Sequence, residues 1–267
     1  MRDDFIKVHV SNWKCEKKIK VCIISIIYEE MLEIVKAYDM KSVNDSYIYW
    51  EGGISEFPDI TVHCYQQNES GNIYSEQLTK YVLEKDYDYY FCVGTSGAVQ
   101  ARLYDVIIAN QIIYLGKGAN TVEGREYDGK APEIREQDKN LINTFLVHLG
   151  KSKELNFSVV AEPVISGENV EKNPMGKELE EGKKFVRHLA AIDMESFGVF
   201  QALRFNEVFN KKEKSVYIIR GISDRADGLK NLEYEDGLRP DERKQRAMKN
   251  VLEVLNEFIV WLNCFNK

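Results

Sequence analysis

The chain has 267 residues, of which 44% are hydrophobic and 30% are charged. This suits one large α/β domain or two small ones, and no repeat, low-complexity tract or linker marks a second domain. The 36 Lys and Arg residues against 43 Asp and Glu residues give a net charge of -7, which works against non-specific nucleic-acid binding through a basic surface, and we predict no nucleic-acid partner.

Membrane, disulfide and metal-binding features are not expected from the sequence. The longest apolar run is far shorter than the roughly 20 residues that span a bilayer, and Met1–Asp4 does not open a signal peptide. The five cysteines lack CxxC spacing and predict reduced thiols, and the four histidines lack zinc-like spacing. We therefore predict a cytoplasmic protein with no membrane partner, no metal and no cofactor.

Short apolar, β-branched runs alternate with helical patterns along the chain, which is typical of βαβ units on a mostly parallel sheet. Strands are predicted near 20–27, 59–66, 88–93, 104–114, 157–165, 189–193 and 215–222. Helices are predicted near 29–39, 74–86, 134–150, 195–209 and 241–264. We assign residues 1–19 to an N-terminal extension and residues 20–267 to a single domain.

Two polar segments interrupt this pattern. Residues 166–187 are rich in Lys, Glu, Gly and Pro, and residues 225–242 form a second stretch of this kind. The first segment is either a solvated connector or a lid over a crevice, and the second also borders the predicted strand ends.

Three acidic residues each lie where an apolar run meets a polar segment: Glu29, Glu195 and Asp224. Ligands of parallel α/β sheets bind at the carboxyl ends of the strands, so these carboxylates could converge on one substrate. Each also has a purely structural interpretation, because acids are common in the first turn of a helix and as caps after a strand.

The run Cys92–Val99 follows a predicted strand and contains two glycines and two hydroxyl residues. Small residues let a ligand approach the main chain, whose N–H groups bind anions or hydroxyls in such a turn. A tight strand exit without function explains the run equally well. It matches neither the Rossmann spacing nor the phosphate-loop motif.

The order of four motifs resembles that of the nucleoside phosphorylase and nucleosidase superfamily, especially the methylthioadenosine/S-adenosylhomocysteine nucleosidases. The motifs are Gly94–Ala98, Ser166–Glu168, Asp193–Ser196 and Arg220–Asp227. The resemblance spans about residues 20–264. It implies a three-layer α/β sandwich on a mixed, mostly parallel central sheet, assembled as a homodimer or higher homo-oligomer, with a small-molecule purine nucleoside or nucleotide as ligand.

The resemblance also implies catalytic roles. Asp224 matches the acid that protonates the purine at N7, which requires a raised pKa at neutral pH. Glu29 matches the residue that activates the attacking water, with Arg220 and Thr95 holding that water. Glu195 matches the glutamate that accepts hydrogen bonds from the ribose hydroxyls.

Further substrate contacts follow from the same resemblance. Met194 would pack on the apolar face of the sugar, and Val170 falls where the family often places an aromatic that stacks on the base. The remaining candidates line the strand exits: Thr95, Ser96, Gly97 and Ser223.

Hydrolysis is favoured over phosphorolysis. Many phosphorylases of this superfamily carry arginines after the first strand and before the Gly-Thr/Ser turn, whereas this chain has Tyr28–Glu30 and Phe91–Cys92 there. The preferred function is therefore a purine nucleosidase for a substrate such as methylthioadenosine or S-adenosylhomocysteine. The alternatives are an AMP/ATP nucleosidase of bacterial antiphage defence, a phosphate-dependent purine nucleoside phosphorylase and a non-catalytic nucleoside-binding module.

Overall fold

A computed structural model describes residues 17–44, 48–115, 118–121, 124–127, 134–167, 183, 186, 188–226 and 236–265. The strands in these ranges are β1 Ile19–Ser25, β2 Lys41–Asn44, β3 Ile48–Ile54, β4 Phe57–Gln66, β5 Tyr89–Ala98, β6 Val106–Tyr114, β7 Gly118–Thr121, β8 Gly124–Tyr127, β9 Val159–Ser166, β10 Ala191–Asp193 and β11 Val216–Asp224. The helices are α1 Tyr28–Ala37, α2 Asn72–Leu83, α3 Glu136–Ser152, α4 Ser196–Asn210 and α5 Pro240–Phe265.

A mixed sheet of nine strands forms the centre, in the order β10-β9-β6-β11-β5-β1-β4-β3-β2. Strand β5 pairs in parallel with both β1 and β11, and its last residues also pair antiparallel with β10. This extra pairing joins the edge strand β10 to the middle of the sheet, so β5, β11, β6, β9 and β10 close into a ring. Strands β7 and β8 form a separate hairpin.

Helices cover both faces of the sheet, which makes the fold a three-layer α/β sandwich. Apolar side chains of α1, α3 and α5 share one core with the inner strands, and those of α2 and α4 share a second core on the opposite face. The strands are apolar on both faces because both faces are covered. Helix α5 lies directly on β11, since a Cβ at Gly221 would lie 2.7 Å from the carbonyl oxygen of Ala247.

All seven predicted strands and all five predicted helices are present, with ends shifted by a few residues. The sequence pattern did not predict the β2–β3 hairpin, because most of its residues are exposed or only partly buried and it lacks a continuous apolar run. It also interpreted Gly94–Gly97 as a turn, whereas these residues continue β5. The polar segments 166–187 and 225–242 lie mostly outside the described residues, as does the extension 1–19.

The prediction of reduced thiols holds for Cys22, Cys64 and Cys92, and it is wrong for Cys264, which is disulfide-bonded. Within the described ranges, no helix has both the length and the apolar character needed to cross a bilayer.

Replacement of Phe258 by Ala tests the larger core. This fully buried ring of α5 stacks on Phe145 with 4.3 Å between ring centroids and also contacts Phe91 and Tyr217. Because the cavity cannot fully collapse, we expect Phe258→Ala to lower the free energy of unfolding by about 3–5 kcal/mol in urea titrations. The exposed control Val208→Ala should change it by less than about 0.5 kcal/mol, and equal losses would contradict this account.

Candidate active site

The candidate site lies at one edge of the sheet, where the carboxyl ends of β1, β5, β10 and β11 meet. Arg220 and Asp224 of β11 lie opposite Gly94 and Gly97 of β5, and Ile192 of β10 lies opposite Gly97 from the other side. The polar groups that follow these strands are therefore held by main-chain pairing rather than by long loops.

A buried ion pair links two of these strands. The Nε atom of Arg220 donates to Oδ2 of Asp193 at 2.8 Å, and both side chains are almost completely buried. Nη2 of Arg220 lies 3.5 Å from the hydroxyl of Ser196 and 3.7 Å from the Cys92 sulfur. Burial opposes the charged form of the guanidinium, but the Asp193 carboxylate outweighs it and raises the pKa of Arg220.

Asp193 also fixes the start of α4. Its Oδ1 accepts the backbone N–H groups of Glu195 and Ser196 at 3.2 and 3.1 Å, and its Oδ2 accepts the hydroxyl of Ser196. These N–H groups have no acceptor within the first turn of the helix, so the carboxylate caps them. One side chain thus connects Arg220 to the turn that carries Glu195.

Glu195 is a buried carboxylate held by main-chain donors. Its Oε1 accepts the N–H of Gly71, and its Oε2 accepts the N–H of Met194, both at 3.2 Å. Desolvation and the neighbouring Asp193 carboxylate raise the pKa of Glu195 to about 7, although Arg220 opposes this shift. Near neutral pH the group therefore exists in both protonation states.

Glu30, and not Glu29, reaches this site from α1. Its Oε1 accepts both the N–H and the hydroxyl of Thr95 at 2.7 Å, and the side chain is buried. A Cβ at Gly94 would lie 2.9 Å from Oε2 of Glu30 and 2.7 Å from Nη1 of Arg220, so both groups occupy the space beside this glycine. Desolvation raises the pKa of Glu30, and the Thr95 hydrogen bonds partly oppose the shift.

Glu29 is exposed at the mouth of a neighbouring cleft of about 300 Å³. This cleft lies between the first turns of α1 and α5 and is lined by Glu29, Glu30, Glu33, Pro240, Asp241, Lys244, Gln245 and Met248. Consecutive helical residues point about 100° apart, so burial of Glu30 directs Glu29 away from the buried ion pair. The assignment of Glu29 to the water-activating position is therefore not supported by its location.

Asp224 lies at the end of β11, next to the main chain of β5. Its Oδ1 accepts the N–H of Ala226 at 2.9 Å, and Oδ2 lies 3.5 Å from the hydroxyl of Ser223. A Cβ at Gly97 would lie 3.0 Å from Oδ1 of Asp224. Only glycine at this position lets the Asp224 carboxylate approach β5 so closely. The absence of a side chain at Gly97 therefore has a structural explanation, in addition to the ligand contact expected from the sequence.

The other expected substrate contacts are distributed as follows. Ser96 is buried on β5, and its hydroxyl has no hydrogen-bond partner among the residues that the structure describes. Met194 is half-buried between Asp193 and Glu195. Val170 lies outside the described residues. No group of three or more His, Cys, Asp or Glu side chains in the described ranges is arranged to hold a metal ion.

Sequence reasoning missed the functional placement of Glu30, Asp193 and Gly71. The signal for Glu30 was present, because Glu30 and Ile34 are spaced as neighbours on one helical face that also carries the buried Met31. Asp193 belonged to a quoted motif, and its position two residues before Glu195 fits a cap. Gly71 had no local signal, since its contact with Glu195 joins residues 124 positions apart.

Comparisons with known proteins identify the family and the fold. The sequence model of the family described as "Phosphorylase superfamily" matches residues 75–260, more than half of the chain. The chain belongs to this superfamily. A search of curated proteins finds no match.

Solved structures of nucleosidases share the fold. An S-adenosylhomocysteine nucleosidase from Streptococcus pyogenes in complex with 5-methylthiotubericidin is 18% identical, with a TM-score of 0.68 over 93% of this chain and 99% of that one. A 5′-methylthioadenosine/S-adenosylhomocysteine nucleosidase from Colwellia psychrerythraea in complex with adenine is 15% identical, with a TM-score of 0.67 over 91% and 95%. A futalosine hydrolase mutant from Helicobacter pylori is 14% identical, with a TM-score of 0.67 over 90% and 98%.

Proposed function

We propose that the protein hydrolyses the N-glycosidic bond of an adenosine-type nucleoside, giving free base and a ribose derivative. The observation that carries this proposal is that Glu30, Glu195 and Asp224 lie at one edge of the sheet, where the buried Arg220 pairs with Asp193. The fold neighbours support the substrate class, since they include nucleosidases for methylthioadenosine and S-adenosylhomocysteine and a futalosine hydrolase.

In the proposed reaction, Asp224 donates a proton to N7 of the purine as the bond between the base and the anomeric carbon breaks. Protonation makes the base a better leaving group, and general acid catalysis of this kind contributes roughly 10²- to 10⁴-fold. The sugar then carries oxocarbenium-like positive charge. Glu195 binds the ribose hydroxyls beneath it, with its carboxylate oriented by Gly71 and Met194.

The nucleophile is a water molecule that Glu30 and Arg220 hold near the carboxyl end of β5. Glu30 accepts a proton from this water as its oxygen bonds to the anomeric carbon, so that one proton is taken up at Glu30 and one is released from Asp224. The hydrogen bonds from Thr95 fix the carboxylate for this transfer. Glu30 therefore takes the role that the sequence resemblance gave to Glu29.

The charge distribution favours water over phosphate and a nucleoside over a nucleotide. Arg220 is already paired with Asp193, so it is not available as the sole counter-charge for a phosphate. The cleft beside Glu30 carries the carboxylates of Glu29, Glu33 and Asp241 against the single cation of Lys244. Such a lining opposes the negative charge of inorganic phosphate or of a 5′-polyphosphate.

Base release measures the function directly. The purified protein should release adenine from methylthioadenosine or S-adenosylhomocysteine without phosphate, as detected by liquid chromatography, and should leave AMP and ATP intact. Asp224→Asn should lower this rate roughly 10²- to 10⁴-fold because the acid is lost, whereas the exposed control Asp86→Asn should retain it. Full activity of Asp224→Asn would refute the acid assignment, strict phosphate dependence would indicate a phosphorylase, and binding without turnover would indicate a binding module.

The two adjacent glutamates of α1 form a matched pair of variants. We expect Glu30→Gln to reduce kcat roughly 10²-fold or more, since the amide cannot accept the proton of the attacking water. The kcat of Glu29→Gln should stay within about twofold of the wild-type value, because Glu29 is exposed and Thr95 binds Glu30 instead. The reverse ranking of the two variants would restore the original assignment of Glu29.

The pKa of about 7 for Glu195 predicts a pH dependence. The ionised form accepts hydrogen bonds from both ribose hydroxyls, so kcat/KM should rise as the pH increases toward about 7. Glu195→Gln should remove this acidic limb while lowering kcat/KM at all pH values. A profile that keeps the same limb in Glu195→Gln would assign the titration to another group.

A further inference from the structure

The first residue of α2, Asn72, binds the ends of two other elements. Its Nδ2 donates to the carbonyl oxygen of Gly167 at 3.0 Å, directly after β9. Its Oδ1 accepts the hydroxyl of Ser166 at 3.0 Å and the N–H of Gly198 in the first turn of α4 at 2.8 Å. The side chain is buried, so these bonds form in a medium where unpaired polar groups are costly.

The contact between α2 and α4 is unusually close at this point. A Cβ at Gly198 would lie only 2.0 Å from the carbonyl oxygen of Asn72, so no side chain fits there. The hydroxyl of Ser166 also accepts the N–H of Phe197 at 3.1 Å. The start of α2, the end of β9 and the start of α4 therefore form one hydrogen-bonded unit, which we call the Asn72 clamp.

The clamp is next in sequence to Gly71, which binds the candidate ribose ligand Glu195. Gly71 has a φ of +119°, a conformation that favours glycine, and its N–H donates to Oε1 of Glu195 at 3.2 Å. Glu195 itself precedes α4, which the clamp holds through Gly198. The clamp thus fixes both the donor, at the start of α2, and the carboxylate, at the start of α4.

We propose that Asn72 is a positioning residue for Glu195: its side-chain amide sets the Gly71 N–H against the carboxylate, which orients Glu195 for the ribose hydroxyls. This inference rests on the proposed nucleosidase function. Asn72 acts through Glu195 and has no role in proton transfer. Its loss therefore affects recognition of the sugar hydroxyls more than any other step.

The test compares methylthioadenosine with its 2′-deoxy analogue, using the full chain. Asn72→Ala should lower kcat/KM for the ribonucleoside on the order of 10- to 100-fold, the cost of a misplaced site group, with a much smaller loss for the deoxy analogue. The preference for the ribonucleoside should therefore fall. In a Glu195→Gln background, Asn72→Ala should add no more than roughly a twofold loss, because the two residues act through one interaction.

Asn206→Ala is the matched control. Asn206 is equally buried on α4 and binds a backbone carbonyl, that of Lys212, at the opposite end of the helix. It should lower stability without changing the preference between the two substrates. Equal losses for both substrates in Asn72→Ala, or an undiminished effect in the Glu195→Gln background, would overturn the proposal.

If Asn72→Ala does not fold, the same substrate comparison is made with Asn72→Asp. It keeps an acceptor for Ser166 and Gly198 but loses the donor to Gly167, so a smaller fall in the same preference is expected. An unchanged preference in Asn72→Asp would then overturn the role of Asn72. A wild-type protein that releases no adenine contradicts the proposed function itself, whereas an active wild type with an unaffected Asn72 variant contradicts the clamp alone.

Discussion

The site depends on one buried positive charge, that of Arg220 in the middle of the sheet. Removing a charge from water costs several kcal/mol unless close partners compensate, and here Asp193 supplies the ion pair. To reach Arg220, Asp193 must lie at the end of β10 with β10 paired against β5. The same carboxylate caps α4, which places Glu195. Compensation of this one charge therefore links the closure of the ring of strands to the position of Glu195, the proposed ribose ligand.

Much of the fold could be predicted because the buried elements carry strong patterns. Strands that are covered on both faces appear in the sequence as continuous apolar runs, and α5 appears as a long apolar stripe. Both kinds of element were therefore predicted. The β2–β3 hairpin could not be predicted in this way, because its partly exposed strands have no continuous apolar run. The extended conformation of Gly94–Gly97 could not be predicted for a different reason. The small residues of this segment indicate a turn, but pairing with β11 and β10 keeps it extended, and only tertiary structure supplies those partners.

The site was predictable to the level of motifs and not to the level of contacts. Order along the chain located the strand ends that carry Glu195 and Asp224, since Glu195 lies two residues after β10 and Asp224 is the last residue of β11. The choice between Glu29 and Glu30 depends on which face of α1 points inward. The contact of Glu30 with Thr95 on β5 shows which face this is, and the sequence around α1 does not reveal that contact. The contacts of Gly71 and Asn72 could not be predicted from the sequence, because they join residues that only the packing of α2 on α4 brings together.

The raised pKa of Glu195 connects the proposed function to stability. A carboxyl whose pKa is about 7 in the folded protein and near 4.5 when unfolded binds its proton more tightly in the folded state. The unfolded chain loses that proton first as the pH rises, so this group's contribution to stability declines between about pH 4.5 and 7 and stays low above it. At neutral pH the fold thus holds a carboxylate whose ionisation it disfavours by an amount on the order of 3 kcal/mol. In the proposed function, ribose hydroxyls that donate to the ionised carboxylate reduce this cost. On this proposal, the burial that destabilises the free site also strengthens the binding of the sugar.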